Sequence, residues 1–158
     1  MDKNQKKEDP AVIVGRLMAT LYYFVGKEIV DTCGKEKGEE LIRRAIWKFG
    51  AYRGKNIRKT IEEKGLDLNL ENLVKYYDLP VTKITDSDVQ VTATLYKEIT
   101  KYCTFAQVWK EFKGEDLGKI YCEQDFALAK AYNNNIECLR PHNIMDGSGA
   151  NCELTMKL

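Results

Sequence analysis

Side chains able to do chemistry crowd one stretch of this 158-residue chain, from Cys103 to Cys152. The stretch holds four of the five cysteines (Cys103, Cys122, Cys138 and Cys152) and the one histidine, His142. Within it, Tyr121-Cys122-Glu123-Gln124-Asp125 sets a thiol and a carboxylate three residues apart, which on a helix is one face. Near the end, Asn151 to Met156 reads as a strand. That strand turns Cys152, Leu154 and Met156 to one side and Glu153, Thr155 and Lys157 to the other. A thiol and a carboxylate on a helix, facing a thiol on a sheet, predict a small polar site inside an apolar wall.

Each of these residues has two readings. Cysteine is the strongest intrinsic nucleophile here, but only as a thiolate. Cys122 would need Arg140 or His142 to supply positive charge; otherwise it is a small buried apolar group. Asp125, beside Phe126 and Leu128, should not be buried without a partner or a task. It would orient an amidine or guanidine through paired hydrogen bonds, or activate water; the alternative is an ion pair with Arg140. Cys138, Arg140 and His142 share a side only if the strand stays regular through Pro141. Zinc takes Cys, His and Asp, but no Cys-x-x-Cys pair occurs and the spacing is irregular, so neither metal nor cofactor is expected. Gly147-Ser148-Gly149 precedes a strand rather than a helix, so it lacks a helix terminus to hold phosphate.

The elements that must position this site begin with Pro10, a favourable first helical residue after a charged, frayed tail, Met1 to Pro10. Helical apolar spacing follows through Val30, with Ile13, Leu17, Leu21, Phe24 and Val25 on a stripe. The helix reads as buried in the core or as a homodimer interface. The run Val12 to Val25 contains Arg16 and is only 14 residues long, against the roughly 20 of a membrane span. Lys35 to Gly38 reads as a connector. A second helix spans Glu39 to Lys64, where Gly50 and Gly54 predict close approach of another helix. Arg43, Arg44, Arg53 and Arg58 on it alternate with acids and predict a solvated face rather than a phosphate-binding row. A short helix over Glu71 to Tyr77 closes the helical half, residues 11–80.

Past Pro80 the period changes to two. Val89 to Tyr96 reads as one half-buried strand and Glu98 to Cys103 as a second. Two helices are inserted next, one over Phe105 to Phe112 and one from Asp116 through Ala129. Ile136 to Arg140 and Asn151 to Met156 form the last strands, joined across the Gly147-Ser148-Gly149 turn. The order predicts an α+β fold, a helical N-terminal layer on an antiparallel sheet with two inserted helices, in a single domain whose sheet-containing half is 85–158. A net charge of +1, from 25 basic and 24 acidic residues, provides no field for nucleic acid or anionic lipid. Five unpatterned cysteines suit a reducing cytoplasm.

At the same residues the chain resembles a bacterial family, the L-2-amino-thiazoline-4-carboxylic acid hydrolases. The resemblance rests on Thr100-Lys101-Tyr102-Cys103, Phe105-Ala106, Asp116-Leu117-Gly118 and Tyr121-Cys122-Glu123-Gln124-Asp125, then on Arg140, Gly147 and Asn151-Cys152-Glu153-Leu154. The ending is also similar to the 4-vinyl reductase domain group, a small-molecule-binding architecture. The hydrolase resemblance implies opening of a small cyclic amidine to a carbamoylated cysteine. Under it, Asp125 pairs with the protonated amidine, and Cys122 or Cys152 attacks the ring carbon or flanks a water that does. Arg140 holds the substrate carboxylate, with Cys103, Gly147 and His142 as further substrate contacts. The competing readings are a non-catalytic sensor or carrier of a small ligand, and a thiol-based zinc module.

Overall fold

The computed structural model describes residues 8–147 and 149–158. Helix α1 (Pro10–Cys33) starts where Asp9 accepts a hydrogen bond from the Ala11 amide at 2.9 Å, with Pro10 in the first turn. Glu8 pairs with Arg16 at 2.8 Å, so the end of the expected tail is tied to the side of this helix; its first seven residues lie outside the described ones. Gly34, at φ +82°, makes the whole turn into α2 (Lys35–Glu63). The expected connector over Lys35 to Gly38 is therefore helix. The turn stays this short because Gly38 has no Cβ, which would lie 2.7 Å from the Val30 Cα.

The apolar stripe of α1 does not face the core. Ile13, Val14, Leu17, Leu21, Phe24 and Val25 are between 41% and 67% exposed, and α1 packs inward through Gly15, Ala19 and Gly26. Small residues win that face because the neighbours are bulky: a Cβ on Gly15 would stand 3.1 Å from both Ile84 and Phe105. Trp109 reinforces the seat by donating its indole N–H to the Ala19 carbonyl at 3.0 Å. The burial expected for this stripe is thus overturned, and the homodimer expectation falls on its outward face.

Helix α2 runs unbroken through Gly50 and Gly54. A Cβ at either position would lie 2.3 Å from a backbone carbonyl of the crossing helix, Gln124 for Gly50 and Leu128 for Gly54. The close crossing expected from these glycines is what the structure shows. Helices α3 (Leu70–Lys75) and α4 (Val81–Ile84) follow and lead directly into the sheet.

Strands β1 (Thr85–Val91), β2 (Leu95–Cys103), β3 (Glu137–His142) and β4 (Cys152–Lys157) form one antiparallel sheet in the order β1-β2-β4-β3. The single strand expected over Val89 to Tyr96 is instead the tip of a hairpin. Thr92 turns the chain: its amide donates to the Leu95 carbonyl at 2.8 Å, and its hydroxyl accepts from the Leu95 amide at 3.0 Å. Threonine's high strand propensity conceals such a turn in the sequence.

Between β2 and β3 lie α5 (Thr104–Glu111), α6 (Glu115–Cys122) and α7 (Gln124–Tyr132). The second expected inserted helix is divided at Glu123, whose carboxylate accepts from Arg43 Nε and from the Trp47 indole, each at 2.9 Å. One core cluster gathers Trp109, Tyr121 and Ile42 beneath α1; a second gathers Leu128, Tyr132 and Ile61 against the inner face of β4. The alternation expected for β4 holds, with Cys152, Leu154 and Met156 all buried. Among the described residues no helix is long and apolar enough to cross a membrane.

Gly50→Ala or Gly54→Ala places a methyl against a carbonyl that belongs to helix backbone. Each is expected to destabilise the fold by about 1–3 kcal/mol, the usual range for overpacking, read as a lower urea midpoint at unchanged slope. A wild-type midpoint in both would contradict the backbone contact.

Candidate functional site

A cavity of about 160 Å³ opens between the helices and the inner face of the sheet. That is close to the volume of an engineered cavity that admits benzene, roughly 150 Å³, so it has room for one small ring. Leu73, Tyr77, Leu79, Ile84, Phe105 and Trp109 give it a largely apolar wall. Of the residues singled out in the sequence, it collects Cys103, Cys122, Asp125, Arg140 and Cys152.

His142 and Gly147 are not brought to this lining. Pairing along β3 shifts register between Leu139 and His142, and His142 ends exposed opposite Glu153. Gly147 sits at φ +73° in the exposed β3–β4 loop. Ser148, the centre of the expected turn, lies outside the described residues. The loop is longer than that turn, running from Asn143 to Asn151.

The cavity's polar centre is an ion pair. Arg140 Nη2 lies 2.5 Å from Asp125 Oδ2, with only 11% and 20% of the two side chains exposed. Arg140 comes from the irregular part of β3, between Leu139 and His142 where the register shifts, while Asp125 comes from the first turn of α7, placed by the glycine crossing with α2. Burial pushes the Asp125 pKa up; the charges of Arg140 and Arg53 oppose that, and the Glu98 carboxylate adds to it. Burial works against the Arg140 charge too, yet Cys122 and Asp125 outweigh it and hold the guanidinium above its usual value. One guanidinium N–H stays unused: Arg140 Nε is buried without a partner among the described residues. So is the hydroxyl of Tyr121, which also lines the cavity. A buried polar group left unpaired costs about 1–3 kcal/mol, and two of them at one hollow mark a place where a ligand supplies the partners.

The thiols are held differently. Cys152 Sγ accepts from the Ile144 amide at 3.2 Å and lies 3.7 Å from Asn143 Oδ1, which ties it to the β3–β4 loop. Burial pushes Cys122 up to about 12, with Arg140 opposing. Burial also raises Cys103, partly offset by the Ala106 and Phe105 amides at the start of α5. Cys122 is therefore a neutral thiol at pH 7. Among the described residues no group of three or more His, Cys, Asp and Glu is arranged to hold a metal ion.

Two features of the site escaped the sequence reading. The hairpin at Thr92 turns Tyr96, Glu98 and Thr100 of β2 onto the cavity, so a second carboxylate, Glu98, stands there. Its signal is the alternation Tyr96, Glu98, Thr100, which a strand boundary placed between Tyr96 and Glu98 interrupts. The other is Arg53, expected on a solvated face but only 3% exposed. Its guanidinium donates to Gln124 Oε1 at 2.6 Å and to Asp78 at 3.0 and 3.1 Å, and lies 5.0 Å from the Tyr77 ring centre. The close crossing buries the α2 face from which Arg53 projects. It thereby anchors the segment around Tyr77 and Leu79 that walls the cavity.

Thiol titration checks the local environment. Cys33 is exposed and should react with a disulfide reagent within seconds at pH 8. Cys122 and Cys138, both pushed up to about 12 by burial, should react only slowly until denaturant exposes them. Their folded values lie above the ordinary 9.0, so their contribution to stability falls as pH rises from about 9 to about 12. Fast reaction of Cys122 in the folded protein would contradict this placement.

Comparison with known proteins adds three findings. A family model described as L-2-amino-thiazoline-4-carboxylic acid hydrolase matches residues 12–155. No curated protein sequence matches the chain. Among solved structures, it is similar to a trafficking protein particle complex subunit 3 from Naegleria fowleri, covalently bound to palmitic acid. That likeness has a TM-score of 0.53 and 15% identity over 92% of this chain and 95% of that one. It is also similar to the phenol-responsive sensory domain of the transcription activator PoxR, with phenol, at TM-score 0.52 and 15% identity over 90% of this chain and 73% of that one. At such identity these likenesses show a shared fold.

Proposed function

The chain belongs to the L-2-amino-thiazoline-4-carboxylic acid hydrolase family, and from that premise we propose that its cavity binds and hydrolytically opens a small cyclic amidine bearing a carboxylate. The observation that carries this reading is the Asp125–Arg140 ion pair, with its unused Arg140 N–H, inside an otherwise apolar, ring-sized hollow. A protonated amidine with a carboxylate is the complement of such a pair. The amidinium meets Asp125 and the carboxylate meets the guanidinium, so both members of the pair keep an opposite charge beside them. Separate ligands of one charge would leave a partner exposed to the apolar wall.

In this reading water attacks the ring carbon that carries both nitrogen and sulfur. A carbon–oxygen bond forms, the carbon–sulfur bond breaks, and sulfur departs as a thiol carrying one proton from the adduct. The product is a carbamoylated cysteine, and the proton of the amidinium is released. Asp125 keeps the amidine protonated and so keeps its carbon electrophilic. The high pKa of Cys122 favours water over a thiolate as the nucleophile, with Cys122 and Cys152 flanking that water.

A second reading is a non-catalytic small-ligand binder, supported by the apolar wall and by the phenol and palmitic acid in the two structures of similar fold. Turnover of 2-aminothiazoline-4-carboxylate, followed as thiol release, separates the two. Asp125→Asn is expected to lower the rate by about 10²–10⁴-fold, the range for a positioned acid–base group. It also leaves Arg140 uncompensated, so the rate is read where circular dichroism shows the variant folded. Full activity of the folded variant would remove Asp125 from the chemistry.

A further inference from the structure

Glu98 has no assigned task. It lies on the inner face of β2, opposite Leu154 of β4, and its carboxylate lines the same cavity as Asp125 and Arg140. Its hydrogen-bond donor is the Tyr96 hydroxyl at 2.8 Å. Among the described residues no ion pair compensates it, whereas Asp125 is already matched by Arg140. Among the described residues no lysine or histidine lines the cavity, so one cation faces two carboxylates there. A carboxylate on an apolar wall without a counter-charge is costly unless something cationic meets it. Tyr121 adds an independent pointer to a ligand: it is 7% exposed, lines the cavity, and its hydroxyl has no protein partner.

We propose that Glu98 is the residue that makes this cavity select a cation, so that the native ligand carries a protonated, planar nitrogen group such as an amidinium on a ring. The ring lies against the apolar wall, and the delocalised charge is shared between Glu98 and Asp125, whose carboxylates face it from the sheet and from α7. Arg140 remains available, through its unused Nε, for an anionic substituent of the same ligand. This deepens the proposed function by naming which carboxylate confers charge selection; neutral rings of equal size fit the volume but leave Glu98 uncompensated.

The test is a binding measurement that does not require turnover. Isothermal titration at pH 7 compares 2-aminothiazoline, a cation without the carboxylate, with phenol, a neutral ring of similar size. The wild-type protein is expected to bind the cation at least tenfold more tightly than phenol. Glu98→Gln is expected to weaken the cation at least tenfold and to leave phenol within threefold. If the Gln variant does not fold, Glu98→Asp, which retracts the charge by one methylene, should shift the preference in the same direction. Equal affinity for the two probes, tighter binding of phenol, failure of the wild type to bind the cation, or a cation affinity untouched by both variants would overturn the proposal. Cation selection lost in a Glu98 variant, together with no turnover of 2-aminothiazoline-4-carboxylate by the wild type, would support Glu98 while sinking the hydrolase reading.

Discussion

Contact between two helix backbones governs this structure. Where α2 crosses α7, Gly50 and Gly54 lie against the carbonyls of Gln124 and Leu128 with no room for a side chain. Such an approach fixes the height of α7 over the sheet as well as its rotation. Because Asp125 is in the first turn of α7, the same constraint determines where a carboxylate enters the interior. Gln124, one residue earlier, receives Arg53 from α2, and Arg53 in turn holds Asp78 and the chain that walls the cavity. Helix packing and site construction are thus one interaction seen from two sides.

Within that frame the Asp125–Arg140 pair decides what the cavity suits. Buried pairs are seldom strong sources of stability, because desolvation offsets most of their attraction. Their significance here is chemical. The pair keeps opposite charges in a hollow whose other walls are largely apolar, and it leaves one N–H of the guanidinium unpaired. Of the thiols lining it, Cys103 and Cys122 are pushed up by burial, Cys122 most clearly. Such a site is poorly suited to thiolate attack and well suited to holding a compact ligand that carries both charges.

How much of this was legible can be traced residue by residue. The alternation Cys152, Leu154, Met156 shows its inner face directly, because an edge-to-edge period of two has one solution once a core is present. The glycine pair one turn apart in α2 likewise announces a close crossing. The hairpin at Thr92 was not legible: a threonine hydroxyl closes it, and neither glycine nor proline marks the turn. That miss put a strand boundary between Tyr96 and Glu98 and hid Glu98. Helix α1 misled in the opposite sense. Its large apolar residues form the regular stripe, but the core is met by Gly15, Ala19 and Gly26, which no hydrophobic pattern highlights. Arg53 looked like a surface charge because its partners, Asp78 and Gln124, are distant in sequence.

The account stands on the late helix and the sheet aiming their charged groups into one ring-sized hollow. A crystal structure of the protein grown with 2-aminothiazoline-4-carboxylate or its carbamoylated product tests that most directly. The account predicts ligand density between α7 and β2–β4, with its nitrogen group at the carboxylates and its carboxylate at Arg140. Density elsewhere on the molecule, or an Asp125 and Arg140 that open onto separate surfaces, would contradict it.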